Sequence, residues 1–244
     1  MRVAILGDIH SNLTALQAVL ADAQTQGVEE VWCVGDIVGY GPEPSACISI
    51  VQERVKLCVA GNHDLGAAGR IGLEQFNPYA AQANRWTAER LNDAEKAYLG
   101  SLPSRLEQEG VTLAHASPRD PVWEYVVVEP IADANFPAFT TKLCFIGHSH
   151  LPFLCLQPAP DTQCGFFTFP AFLGLAMTDG RAIINPGSVG QPRDRDPRAS
   201  YVVYDREREL FFNRRVAYDI RTTQELMAKG GLPYYLINRL SNGA

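Results

Sequence analysis

The sequence predicts an α/β domain of two packed sheets with helices outside them, and three observations carry that reading. Over the first sixty residues, short apolar runs alternate with helical periodicity, the pattern of a parallel sheet. Between residues 151 and 218 the texture changes to β-branched and aromatic residues broken by proline and glycine, the pattern of a second, antiparallel sheet. No linker, repeat or low-complexity segment divides the chain, and 244 residues can bury a large core without staples, so residues 1–244 read as one domain.

Residues 3–6 are a buried-strand run that stops at Gly7-Asp8-Ile9-His10-Ser11-Asn12. The helix after it takes Ser11 or Asn12 as its cap, carries Leu13, Leu16 and Leu20 on one stripe and ends at Gly27. Residues 31–34 form the next strand and end at Gly35-Asp36; a helix starting near Pro42 to Pro44 turns Cys47, Ile50 and Val51 inward. Residues 57–60 complete a βαβαβ unit and end at Gly61-Asn62-His63-Asp64. Residues 66–109 read as mostly helical, around 80–91 and 94–99, and cover one flank of the sheet. Two further strands, 111–114 and 143–146, end at His115 and at Gly147-His148-Ser149-His150. A hairpin pairing 201–204 with 211–216 belongs to the second sheet. The tail has a capping-box signal at Thr222-Thr223-Gln224-Glu225, a stop at Gly230-Gly231 and a short helix after Pro233.

Composition removes several classes of function. With 21 Lys and Arg against 27 Asp and Glu, the net charge is −6 and no basic run tracks a phosphate backbone, which argues against extended nucleic-acid binding. The uncharged stretches 143–160 and 162–178 are broken by His148, His150, Pro152 and Pro170, so no membrane span is expected. Six cysteines (Cys33, Cys47, Cys58, Cys144, Cys155 and Cys164) form no C-x-x-C pair, and the first residues run straight into a strand with no signal peptide. Both observations place the chain in the reducing cytosol, with buried free thiols.

Open α/β sheets hold ligands beyond the carboxyl ends of their strands. Five strand ends here deliver Asp8 and His10, Asp36, Asn62 with His63 and Asp64, His115, and His148 with His150, and these include all five histidines of the chain. Taken singly, Asp8 reads as well as a helix cap, Gly35-Asp36 as a turn and His115 as a structural histidine; their joint occurrence at strand ends does not read that way. Imidazole nitrogen with carboxylate and amide oxygen suits two divalent ions such as Mn, Fe(II) or Zn, and the absence of thiolates argues against a structural zinc. A bridging carboxylate can hold two such ions, which clamp a phosphoryl group and activate a water, and a His beside an Asp can serve the leaving oxygen. A Rossmann fingerprint, a P-loop and a serine-hydrolase elbow are all absent.

These five blocks, in this order, resemble those of the calcineurin-like metallophosphoesterases over roughly residues 1–190. Within that superfamily they are most similar to the small prokaryotic phosphodiesterase branch, for which Gly35-Asp36-Ile37-Val38-Gly39-Tyr40-Gly41-Pro42 and Asn185-Pro186-Gly187-Ser188 are also typical. The resemblance implies a four-layer αββα sandwich of two mixed sheets flanked by helices. It implies one metal on Asp8, His10, Asp36 and His150 and a second on Asp36, Asn62, His115 and His148, with Asp36 bridging. It further implies a metal-activated water as nucleophile, His63 stabilising the transition state or protonating the leaving oxygen, and Asp64 holding the His63 imidazole in its tautomer. The expected activity is phosphodiester hydrolysis of a small phosphoester. A phosphomonoesterase, a protein or dinucleoside-polyphosphate phosphatase, and a catalytically idle metal-binding scaffold are the alternatives. Relatives acting on phosphoproteins and dinucleoside polyphosphates carry Asp-Arg and Glu where this chain has Gly39-Tyr40 and Asp64, which counts against those substrates. Arg193, in the Pro192-Arg193-Asp194-Arg195 loop, is the candidate phosphate anchor, against a loop that is simply solvated.

Overall fold

The computed structural model describes residues 1–172, 174–176 and 179–244; Leu173, Met177 and Thr178, inside the uncharged stretch 162–178, lie outside the described residues. The chain opens as read, with β1 (Arg2–Leu6), α1 (Leu13–Thr25), β2 (Glu30–Cys33), α2 (Pro44–Arg54) and β3 (Val55–Cys58). Asn12 is the α1 cap, accepting from the Ala15 amide, and Gly27 leaves the helix at φ 68°. Next come α3 (Asn62–Ala67), α4 (Pro78–Ala88) and α5 (Asp93–Ser101), then β4 (Arg105–Gln108), which the helical reading of 66–109 had covered over, and β5 (Val111–Ala114). α6 (Glu129–Asp133) and a single 3₁₀ turn precede β6 (Leu143–Phe145), β7 (Pro152–Gln157), β8 (Gly165–Thr168), β9 (Gly174–Ala176) and β10 (Arg181–Pro186). The chain closes with β11 (Ala199–Asp205), β12 (Leu210–Val216), α7 (Ile220–Lys229) and α8 (Tyr234–Asn242).

The strands form two six-stranded mixed sheets, ordered β3-β2-β1-β11-β12-β9 and β4-β5-β6-β10-β7-β8. The β11–β12 hairpin joins the first sheet, with Val3 opposite Tyr204, and not the second as its composition suggested. The reason is parity. Val202 and Tyr204 face the same inter-sheet core as Val3 and Ile5, while Tyr201 and Val203 join Ala4 and Leu6 under α1 and α2.

Alternation along each strand therefore builds the layers. Val3, Ile5, Trp32 and Val34 of the first sheet pack against Leu113, Phe145, Leu154 and Ile184 of the second. The outer face of the first sheet is covered by Leu16 and Val19 of α1 and Cys47, Ile48 and Val51 of α2. The outer face of the second is covered by Ala132 of α6, by Phe136 and by Phe139. The result is the four-layer αββα sandwich. Two local readings change. Asp219, not the Thr222 box, caps α7 by accepting from the Thr222 amide, because its short carboxylate stands one residue ahead of the helix. Cys155 and Cys164 are joined in a disulfide, so they are not free thiols; the β7–β8 hairpin folds back and brings their Cα atoms to 6.0 Å. Cys33, Cys47, Cys58 and Cys144 are free.

Candidate metal centre

β1, β2 and β3 of one sheet and β5 and β6 of the other run parallel and end at the same edge of the sandwich. The turns beyond them are bound to one another by main-chain hydrogen bonds: Asp8 and His10 donate to the carbonyls of Gly35 and Asp36, and Gly147 donates to that of His115. Asn185 and Ser188, from the Asn-Pro-Gly-Ser turn after β10, complete the weave. The Asn185 amide donates to the Gly147 carbonyl at 2.7 Å and the Ser188 hydroxyl to the Asp8 carbonyl at 2.8 Å.

Within this weave Asp8, His10, Ser11, Asp36, Tyr40, His148 and His150 all take positive φ, between 50° and 65°. Each such residue costs about 1 kcal/mol or more, so the set together rivals the net stability of a typical domain. The hydrogen bonds and packing around the turns must offset that, and what the strain achieves is direction: the carboxylate and imidazole groups converge. Two glycines make room. A Cβ on Gly61 would stand 2.0 Å from an Asp36 carboxylate oxygen, and one on Gly39, at φ 91°, would stand 2.3 Å from Nδ1 of His63.

Potential ligand atoms gather in three overlapping groups, Asp8 with His10 and His150, His10 with Asp36 and His63, and Asp36 with His115 and His148, the atoms of each group lying within 4.8 Å of one another. Oδ2 of Asp36 lies 3.5 Å from Nε2 of His10 and 3.3 Å from Nε2 of His115, between the two groups. Oδ1 of Asn62 lies 3.2 Å from Nε2 of His115. Three imidazoles are oriented through their far nitrogens: Nδ1 of His10, His115 and His150 meet the carbonyls of Val38, Val34 and Gln191 at 3.0, 2.9 and 2.6 Å. That pairing assigns Nδ1 as donor and leaves Nε2 with a lone pair directed inward, the second-layer arrangement that metal-binding histidines use. Asp8 Oδ2 is buried without a hydrogen-bond partner. Burial of lone pairs aimed at one another, with no donors among them, fits divalent cations and fits little else.

Electrostatics agree for His10, His148 and His150 and not for His115, whose proton Asp36 favours. Burial raises Asp8, while Asp36, despite burial, is drawn down by His115, His63 and His10 around it. Burial lowers His10, His148 and His150, and lowers His63 to about 4, whereas His115 is raised by Asp36 against the same burial. All nine residues singled out by sequence thus meet at one edge, and each is buried.

Asp64 requires a correction. Its carboxylate accepts from the amides of Val38 and Gly61 at 3.0 and 2.9 Å, and Nδ1 of His63 has no hydrogen-bond partner. The first turn of α3 directs the Asp64 side chain back over its own helix start, so it braces two turns instead of the imidazole. The His63 ring is held by packing, against Tyr40 at 4.3 Å and Phe76 at 5.0 Å between centroids, and its main-chain carbonyl is fixed by Asn84.

The centre opens into a cleft of about 370 Å³. Tyr40, Phe76, Trp123 and Tyr125 wall it; only Tyr40 lies in a block the sequence marks, because lone aromatics in loops have no motif. Arg193 enters it, with Nη2 3.1 Å from Gln191 Oε1, while Arg195 is exposed and Arg198 pairs with Asp196. No helix among the described residues is long and apolar enough to cross a membrane.

Comparison with known proteins agrees with this geometry. The model of the calcineurin-like phosphoesterase superfamily domain matches residues 1–209. An uncharacterized protein of Methanocaldococcus jannaschii is 38% identical over 247 residues, covering 99% of this chain and 98% of that one. A metallophosphoesterase from Sphaerobacter thermophilus superposes with a TM-score of 0.91 at 44% identity, covering 100% of this chain and 99% of that chain. A symmetrical bis(5'-nucleosyl)-tetraphosphatase of Haemophilus ducreyi is 32% identical over 83 residues, 32% of this chain and 30% of its own length.

Proposed function

From the premise that the chain belongs to the calcineurin-like phosphoesterase superfamily, and is a metal-dependent phosphoester hydrolase, we propose that it is a phosphodiesterase acting on a small substrate. The observation that carries the reading is the cleft: one guanidinium, Arg193, is the only side-chain cation lining it among the described residues, and aromatic rings stand to either side of the candidate metal ligands. A diester brings a single negative charge and two substituents, and both demands are met here; a monoester dianion asks for more positive charge and less wall.

In this reading Asp8, His10, Asp36 and His150 hold one divalent ion and Asp36, Asn62, His115 and His148 the other. Mn, Fe or Zn suits these donors. When bound, such a pair lowers the pKa of a water and neutralises phosphoryl charge. The protein's own groups do the rest. Arg193 orients the phosphoryl group by charge-assisted hydrogen bonds. His63, kept neutral by burial, donates an N–H to the leaving oxygen as charge develops on it, so the choice between stabiliser and stored acid falls to the former. Tyr40 and Phe76 hold that ring in place, and Tyr125, against His148 at 4.0 Å, screens the centre from water. The four free thiols favour a cytosolic location, and the Cys155–Cys164 disulfide counts against it.

The test is turnover of bis(p-nitrophenyl) phosphate against p-nitrophenyl phosphate by the Mn-loaded protein. The diester is expected to lead in kcat/KM by about tenfold or more, and Arg193→Ala to lower that value roughly tenfold to a hundredfold. A monoester preference overturns the proposal, and two bound metals without turnover of either ester identify a scaffold.

A further inference from the structure

A groove of about 710 Å³ continues from the metal cleft, and Tyr40, Asn77 and Arg193 line both. Its far walls are Tyr79 of α4 and Tyr235 and Arg239 of α8. α8 lies beyond residue 209, where the superfamily match ends. It is held in place by Leu236 and Leu240 packed with Ala80 and Ala83 of α4. The groove is therefore built from a segment outside the matched region, laid beside the shared centre.

Its chemistry is selective. Arg193 and Arg239 have no carboxylate side chain within ion-pair distance among the described residues, whereas Arg198, Arg214 and Arg215 nearby each grip an aspartate. Nε of Arg239 donates instead to a main-chain oxygen of Ala244, the last residue of the sequence. Burial and the Arg193 charge lower the pKa of Arg239, so the two guanidiniums feel each other. Arg193 and Arg239, neither paired with an Asp or Glu side chain among the described residues, add positive charge that attracts an anion into the groove. Beside them the rings of Tyr79 and Tyr235 stack at 4.9 Å and 23°, yet the residues remain 47% and 52% exposed. The Arg239 guanidinium lies 5.4 Å from the Tyr235 centroid. The exposed part of this tyrosine pair, beside a guanidinium, offers a heteroaromatic ring an aromatic surface to pack on.

We propose that this groove is a subsite for one arm of the diester, an arm bearing a second phosphate at Arg193 and Arg239 and a nucleobase against Tyr235. The substrate class is a small phosphorylated nucleotide diester; the net charge of −6 disfavours a long polymer. The inference rests on the phosphodiesterase reading. It adds no chemical step: one P–O ester bond breaks, one water oxygen bonds to phosphorus, and the water proton ends on the leaving oxygen.

Kinetics on 5′-phosphorylated diadenylate (pApA) and unphosphorylated ApA test it. The Mn-loaded protein is expected to favour pApA by about tenfold or more in kcat/KM. Arg239→Gln is expected to bring the pApA to ApA ratio to within about threefold of one, and Arg239→Lys, which keeps the charge, to preserve most of it. Tyr235→Ala is expected to lower kcat/KM for both dinucleotides by about fivefold or more relative to bis(p-nitrophenyl) phosphate. A wild type indifferent to the extra phosphate, or a ratio unmoved in Arg239→Gln, overturns the subsite. Calorimetric binding of AMP to the Mn-loaded chain separates this inference from the one beneath it. If no diester is turned over but AMP binds about fivefold or more weakly to Arg239→Gln, the phosphodiesterase reading fails and the subsite stands; if diesters are turned over and AMP affinity is unchanged, the subsite fails alone.

Discussion

The two ends of the same strands treat charge in opposite ways. At the ends where β1, β2 and β3 begin, Arg2 pairs with Asp205, Lys56 with Glu30 and Glu109, and Arg206 with Glu109, each carboxylate matched to a cation whose side chain reaches solvent. At their carboxyl ends Asp8 and Asp36 are fully buried, faced by imidazoles and by no Lys or Arg salt bridge, on turns held at positive φ. Charged residues are therefore plentiful at both edges and distinguish neither. What marks the functional edge is that its charges are desolvated and unmatched, a state costing several kcal/mol per ion unless something else supplies the counter-charge.

That contrast predicts a graded series. Asp36→Asn removes the oxygen shared between the two ligand groups, and it is expected to empty the centre as measured by elemental analysis and to cut turnover by about a thousandfold or more. His63→Ala is expected to lower kcat by about a hundredfold with metal content unchanged, since His63, although its ring reaches the His10 and Asp36 ligand atoms, belongs to neither of the two proposed ligand sets; equal metal loss in both variants would contradict that division of roles. Glu124 stands between the two extremes. It is partly buried and bound by Arg119, Ser117 and Asn135, which hold its carboxyl down at about 2. Because the folded pKa is depressed, its contribution is complete above the ordinary glutamate range and fades as pH falls toward about 2. Glu124→Gln should cost about 1 kcal/mol at neutral pH, and the difference in urea midpoint from wild type should shrink between about pH 5 and pH 3. Lys56→Ala, at the solvated edge, should leave both Tm and kcat unchanged.

Legibility follows locality. The ligand residues could be read because each sits within five residues of a strand's carboxyl end, where sequence order and spatial order coincide. Asn12 as cap and Gly27 as stop are local in the same sense. The hairpin of β11 and β12 was placed in the wrong sheet because its partner, β1, is at the other end of the chain, and only the parity of its side chains, read against that distant strand, decides the matter. The Cys155–Cys164 pair depends on where the β7–β8 hairpin turns, which its proline-broken sequence leaves open. Asp64 was misread for a geometric reason: adjacency to His63 in sequence suggests contact, but neighbouring residues in a helix point apart, and its carboxylate goes to Gly61 and Val38. The walls of the cleft, Tyr40, Phe76, Trp123 and Tyr125, come from four different segments, and no one of them announces the others.

The pairing of β1 with β11 has a consequence for how the protein is made. Arg2 through Ile5 are opposite Val202 through Asp205, so during synthesis β1 leaves the ribosome about two hundred residues before the strand that becomes its second neighbour. Until then one edge of β1 is open, and Ser188 and Asn185, which brace the turns carrying Asp8 and His148, have not all arrived. A nascent chain can form the βαβαβ half early, yet the ligand cage closes only once β10, the turn after it and β11 are made, and pairings of such long sequence separation are slow to form. A closed cage is thereby deferred until those segments have emerged, and a truncated chain lacking β11 lacks the partner that completes β1.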